Sequence, residues 1–245
     1  MENVDVNAVD GGPVGGMVGE NRGAITNCYS TGNVRGEDCV GGLVGVNDNG
    51  TITNCYSISD IAGKGFVGGL TGSSNWTVTN CYSMGMVLGT GESIGGLVGL
   101  NYFRITNCYS TARVSGGIQV GGLVGWNRST ISACYSTGSV TGNDVVGGLV
   151  GALYLEGEVR DSFWDIETSG QSGSAGGTGK TTAGMKTMST FTNASWDFVE
   201  IWGIGENQTY PFLLTEPAGD LNYDKKVNLA DLAILASHWL EGATP

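Results

Sequence analysis

The chain has few groups for acid–base or metal chemistry. Its single histidine is His238, and no Cys-x-x-Cys pair occurs, so a zinc centre built from sulfur and imidazole is not expected. Basic residues are scarce: Lys and Arg number 11 against 23 Asp and Glu, a net charge of −12. Such a surface repels phosphate backbones, which argues against nucleic acid as a partner, while acidity favours solubility and divalent cations. No stretch of 18 apolar residues is present, so no membrane-inserted helix is predicted. Met1 to Gly12 has neither a basic nor an apolar leader region. Because the first repeat starts so soon afterwards, the expectation is a fragment of a longer protein or a chain whose signal was removed. Proline is also rare, at 4 residues, and the Gly-X-Y period of collagen is missing.

Glycine is what the chain has in abundance, 44 residues, together with a hydrophobic content of 40% that is too high for a disordered tract. The glycines are periodic. Val-Gly-Gly-Met-Val-Gly begins at Val14, and close copies begin at Val40, Val67, Ile94, Val120 and Val146, 26 or 27 residues apart. A second string, Ile/Val-Thr-Asn-Cys-Tyr-Ser, ends at Ser30, Ser57, Ser83 and Ser110, continues as ISACYS to Ser136, and degenerates into Val159 to Trp164. A third, weaker string follows each Ser. Short β-branched runs broken by Gly, Asn and Ser read as strands, and recurrent glycine excludes helix at up to ~1 kcal/mol each. One such unit cannot bury its apolar face, but stacked units can. The predicted fold is all-β: a parallel β-helix or solenoid of about six coils with three short strands per coil, roughly 25–30 Å long at the spacing of neighbouring strands.

The period assigns residues to ladders. Leu43, Leu70, Leu97, Leu123 and Leu149 form an inward column, with Met17 as its first rung. Strict alternation would put Ile25 and Tyr29 on one face and Cys28 on the other, whereas a corner at Asn27, a residue tolerant of left-handed backbone, turns both Ile25 and Cys28 inward. The corner is the preferred reading, and stacked Asn27, Asn54, Asn80 and Asn107 are then placed to hydrogen-bond along the rod. Five of the six cysteines share one phase, so Cys28, Cys55, Cys81, Cys108 and Cys134 are expected as buried free thiols. The same corner turns Tyr29, Tyr56, Tyr82, Tyr109 and Tyr135 outward. That strip is a candidate surface for stacking on glycan rings, although repetition alone would also produce it as a packing ladder.

Three further segments complete the chain. Residues 1–164 are assigned to the solenoid, with residues 1 to 13 expected to cover its first coil, and 165–214 to an aromatic-rich cap. Within the cap, Gly176 to Thr182 (GGTGKTT) imitates a phosphate-binding loop, but Ser174 stands where the first glycine is needed and no strand–helix unit surrounds it. A glycine-rich loop is expected there instead. A linker, 215–219, leads to residues 220–241. In that last segment Asp220, Asn222, Asp224, Asn228 and Asp231 fall at positions 1, 3, 5, 9 and 12 of a calcium-type loop, with the Lys226 carbonyl at position 7. Leu232, Leu235, Ala236, Trp239 and Leu240 continue it as an amphipathic helix. Ca²⁺ is therefore the expected cofactor. An Asp/Asn turn capping a metal-free helix is the plainer alternative.

The GG-L-V-G and N-C-Y-S strings, held in register from residue 14 to 164, resemble the GLUG motif of bacterial surface and secreted proteins. That resemblance implies an extracellular or cell-surface, adhesin-like scaffold and no catalytic residues. Residues 219–239 resemble one half of a type I dockerin, which would make a cohesin-like domain a partner. Dockerins ordinarily carry two such halves, so another copy of the chain or a surface glycan are alternative partners. Among the acids in the repeats, Glu37, Asp38, Asp48, Asp60, Glu92 and Asp144, only Asp38, Glu92 and Asp144 share a phase, on alternate coils, and the rest do not recur, which disfavours an enzyme. The alternative is an accessory part of a polysaccharide lyase or glycoside hydrolase docked through the dockerin-like end.

Overall fold

The computed structural model describes residues 3–8 and 11–214, and they form the predicted all-β parallel solenoid of about six coils. The predicted loop Asp220–Asp231 and the helix after it lie outside the described residues. Successive coils pair in register along three faces. One face stacks Val18–Asn21, Val44–Asn47, Thr71–Ser74, Val98–Asn101, Val124–Asn127 and Val150–Leu153. A second stacks the Ile/Val-Thr strands from Ala24–Thr26 to Glu158–Arg160. The third is a 14-stranded sheet holding both the Tyr-Ser strands and the Val-Gly strands. Three faces carry four strand segments per coil rather than three, because the long third face bends midway, between Tyr29–Arg35 and Asp38–Gly41 in the first complete turn.

Two non-glycine corners recur with left-handed backbone. Asn27, Asn54, Asn80, Asn107, Ala133 and Asp161 make one, with φ between 47° and 53°. This is the predicted corner, and its amides do bond along the rod: Asn80 donates to Asn54 over 3.1 Å and Asn107 to Asn80 over 3.2 Å. Cys39, Phe66, Ser93, Gln119 and Val145 make the other, with φ of 52–59°. The glycines serve close approach. A Cβ on Gly69 would collide with the Gly96 carbonyl of the next coil and with Ser83. A Cβ on Gly72 would lie 2.6 Å from the Phe66 carbonyl at the second corner. The coil is flat enough that its facing backbones touch, and only glycine fits.

The interior fills as two columns of aliphatic side chains. Leu43, Leu70, Leu97, Leu123 and Leu149 are buried as predicted, among the Ile, Val and Cys rungs. Val34, Val40, Ile61, Val67, Val87 and their successors form the other. The chain also builds a polar ladder that the sequence reading missed. Asn21 donates to Asn47 over 2.8 Å, Asn47 to Ser74 over 3.1 Å, and Asn101 to Asn127 over 2.7 Å, all buried. The signal was available, since these residues share one phase of the repeat.

The stack ends by changing two rungs. The serine that follows each ladder tyrosine faces inward; Ser30, Ser83 and Ser136 each donate to a glycine carbonyl of their own coil. In the last coil this position is Trp164, which fills the open end of the core and donates its indole N–H to the Gln171 carbonyl over 3.0 Å. Beyond it, Thr178–Lys180 pairs in parallel with Phe163–Asp165. The glycine-rich GGTGKTT stretch is therefore partly a strand continuing the stack, which corrects the expectation of a loop. A four-residue helix, Thr182–Met185, follows it. At the other end, Val4–Asn7 pairs with Gly32–Arg35, so the leading residues extend only the third face.

Candidate functional site

The corner at the Asn position decides what each neighbour does. It turns the cysteines inward, and all six are free thiols, with Cys55, Cys81, Cys108 and Cys134 buried. Each of the five ladder thiols donates to the carbonyl two residues before it, at 3.1 Å for Cys81, and every one after Cys28 accepts the backbone N–H of the preceding rung, at 3.4 Å from Cys55 to Cys81. Ser162 supplies the last rung, accepting from Cys134 over 3.1 Å. Burial pushes the Cys81 and Cys108 thiols well above their ordinary range, and for Cys55 the bond with Cys81 contributes most, followed by burial. Such thiols are poor nucleophiles.

The five tyrosines stack as one column on the third face. Neighbouring ring centroids lie 4.8–5.0 Å apart with planes within 7° of parallel. This geometry limits how the strip could meet a glycan in two ways. The ring faces are occupied by one another, so sugars can meet only ring edges and hydroxyls, except at the end of the column. The column is also half covered. Tyr109 and Tyr135 are only 6% and 1% exposed, packed under Trp196, Trp202, Tyr210 and Phe163. The Tyr135 hydroxyl donates to the Pro211 carbonyl over 2.5 Å. The cap thus lies along the side of the rod, whereas Trp164 closes its end.

Asp165 fastens the cap. Its carboxylate is fully buried and accepts from the backbone of Glu167 and Thr168 and from the hydroxyls of Thr182 and Tyr210, the last two at 2.7 Å. Burial and that bond raise Tyr210 to about 12. Burial also raises Tyr109 and Tyr135, with the neighbouring rings adding to it. Where the cap stops, a groove of about 570 Å³ runs between Tyr29, Tyr56 and Tyr82 with Asn27, Asn54 and Asn80 on one wall and Glu200, Ile201, Leu213 and Leu214 on the other. This open half of the column is what remains of the predicted strip. The six predicted calcium ligands, from Asp220 to Asp231, lie outside the described residues. No group of three or more His, Cys, Asp or Glu side chains suited to a metal occurs among the described residues.

Comparison with known proteins agrees with this construction. The GLUG motif model matches residues 36–62, 90–115 and 116–141, three coils of the solenoid. The chain carries GLUG motifs. A "Putative Gly-rich membrane protein" of Evansella cellulosilytica is 47% identical over 75 residues, which is 29% of this chain and 9% of that protein's length. No helix among the described residues is long and apolar enough to cross a membrane. A crystal structure titled as a "putative immunoglobulin A1 protease" from Bacteroides ovatus covers 85% of this chain, and 66% of its own, at 24% identity and a TM-score of 0.49. A likeness of that size does not bear on the function of the GLUG chain.

Proposed function

We propose that this GLUG-motif chain is a non-enzymatic scaffold of the cell surface or extracellular space, a rod that presents its flanks and is attached through its C-terminal segment. One observation carries the reading: the polar residues that recur in every coil are engaged in building the rod. The Asn corners bond to one another, the thiols bond to the adjacent rung, the serines bond to glycine carbonyls, and the tyrosines stack. A repeated residue that bonds along or across the rod in most coils is not held in reserve for chemistry; the buried Ser57 hydroxyl, which has no hydrogen-bond partner among the described residues, is an exception. The description of the Evansella relative as a membrane protein supports placement at the surface.

The attachment is assigned to residues 220–241. Asp220, Asn222, Asp224, Asn228 and Asp231 with the Lys226 carbonyl would hold Ca²⁺, a hard cation that takes six to eight oxygens. The partner is then a cohesin-like domain, with a second copy of the chain as the alternative. Titration calorimetry on the whole chain is expected to show one calcium site that disappears in Asp220→Ala; no heat at millimolar calcium refutes the loop assignment. Incubation with pectin, alginate and xylan is expected to leave each polymer intact, and release of unsaturated or reducing ends would show an enzyme instead.

A further inference from the structure

Aromatic residues that serve neither the tyrosine column nor the cap should be scattered if they have no common purpose. Among the described residues they are Phe66, Trp76, Tyr102, Phe103, Trp126 and Tyr154, and all but Phe66 gather at one corner of the rod. The corner follows the first-face strands of four consecutive coils, so the cluster runs along the axis for about 15 Å. The repeat does not require it: the same corner carries Arg22 and Gly23 in the first coil and Asp48 to Gly50 in the second. Burial does not explain it either. Trp76, Tyr102 and Tyr154 keep 39%, 42% and 41% of their surface exposed.

Two arginines sit within the cluster. The Arg128 guanidinium lies 4.2 Å from the Tyr154 ring centre, 5.1 Å from Tyr102 and 5.3 Å from Trp126. Arg104 lies 6.0 Å from Phe103, which itself stacks on Trp76 at 4.8 Å. Elsewhere on the rod two of the four arginines find carboxylates: Arg22 pairs with Glu20 and Asp48, and Arg160 with Glu158, while Arg35 and Arg113 have no ion pair among the described residues. Arg104 and Arg128 have no ion pair among the described residues, in a chain with twice as many acids as bases. Rings contact the faces of a guanidinium and leave its in-plane N–H donors for an anion.

We infer that this corner binds an acidic polysaccharide lying along the rod, its sugar rings against the exposed aromatics and its carboxylates on Arg128 and Arg104. The linear run along the axis, with Asn75, Thr77, Ser129 and Thr130 between the rings, fits an extended hydroxylated polymer better than a compact apolar partner. Glu156, at the far end, and the net charge of −12 limit the contact to this corner. The inference stands apart from the scaffold reading, since a rod with catalytic activity would hold the same polymer here.

The test is binding of the full chain to polygalacturonate, with neutral galactan and polyglutamate as the other arms. Polygalacturonate is expected to bind and to weaken with salt. Arg128→Gln and Trp76→Ala are expected to weaken binding at least tenfold and Arg22→Ala to leave it unchanged, with melting curves confirming that each variant is folded. Absence of polygalacturonate binding, equal binding to Arg128→Gln, or equal binding of galactan overturns the site. Preference for polyglutamate replaces the glycan with an acidic protein segment.

Discussion

Tyr29 and Tyr135 come from the same string of residues, stack in the same column and bend the chain at the same corner, yet one lines an open groove and the other is sealed. The repeat fixes where each side chain points. Whether it meets solvent is decided by residues 163–213, far along the chain from the rungs they cover. A repeated residue therefore has a geometry from its coil and an environment from its neighbours, and only the first is periodic.

The sharpest way to break the contrast is Trp202→Ala, which removes a fully buried ring packed on Tyr109 and Tyr135. A loss of about 3–5 kcal/mol is expected, read by denaturant unfolding, with tyrosine exposure rising at the two covered rungs. Asp165→Ala should cost about 2 kcal/mol by freeing the Thr182 and Tyr210 hydroxyls and a helix start, and it should raise proteolysis within residues 182–213. Tyr29→Ala, which removes only a terminal rung, is expected to cost about 1 kcal/mol in the same assay. The mildest test leaves the chain intact. Tyr109 and Tyr135 are held above the ordinary value of 10.0, so the unfolded chain releases those protons first. Stability should fall as pH rises beyond about 9, where the unfolded chain's thiols ionise, and more steeply beyond about 10 as its tyrosines follow. Absorbance at alkaline pH should show a phenolate fraction, from Tyr109 and Tyr135, that appears only well above the ordinary value; its absence would remove the contrast.

The sequence made one of the two corners legible. Asn27 and its copies are of a type that accepts left-handed backbone, and the leucine and thiol columns follow from that corner and the period. The second corner uses Cys39, Phe66, Ser93, Gln119 and Val145, five unlike residues with no shared preference, so no local signal marks it. The glycines facing it were visible, but their reason, a backbone on the opposite wall, is a tertiary fact. The cap was legible as aromatic and not as lateral, because composition does not tell which surface it covers. GGTGKTT misled for the same reason: Thr178–Lys180 becomes a strand because Phe163–Asp165 offers an edge. The aromatic corner escaped notice because its residues are divided among three positions of the repeat and missing from the first two coils; within a repeat, the departures carry the message.

The change from serine to Trp164 gives the rod a direction. An indole fills the last rung of the core, and Gly173, Ser174 and Ala175 are bonded to Gly148 through Val150, so that end is plugged at its core and along one face, while Glu158–Arg160 stays the outermost strand of another. At the opposite end Val18–Asn21 and Ala24–Thr26 are the outermost strands of their faces among the described residues. Two rods joined through those edges would close as a symmetric pair.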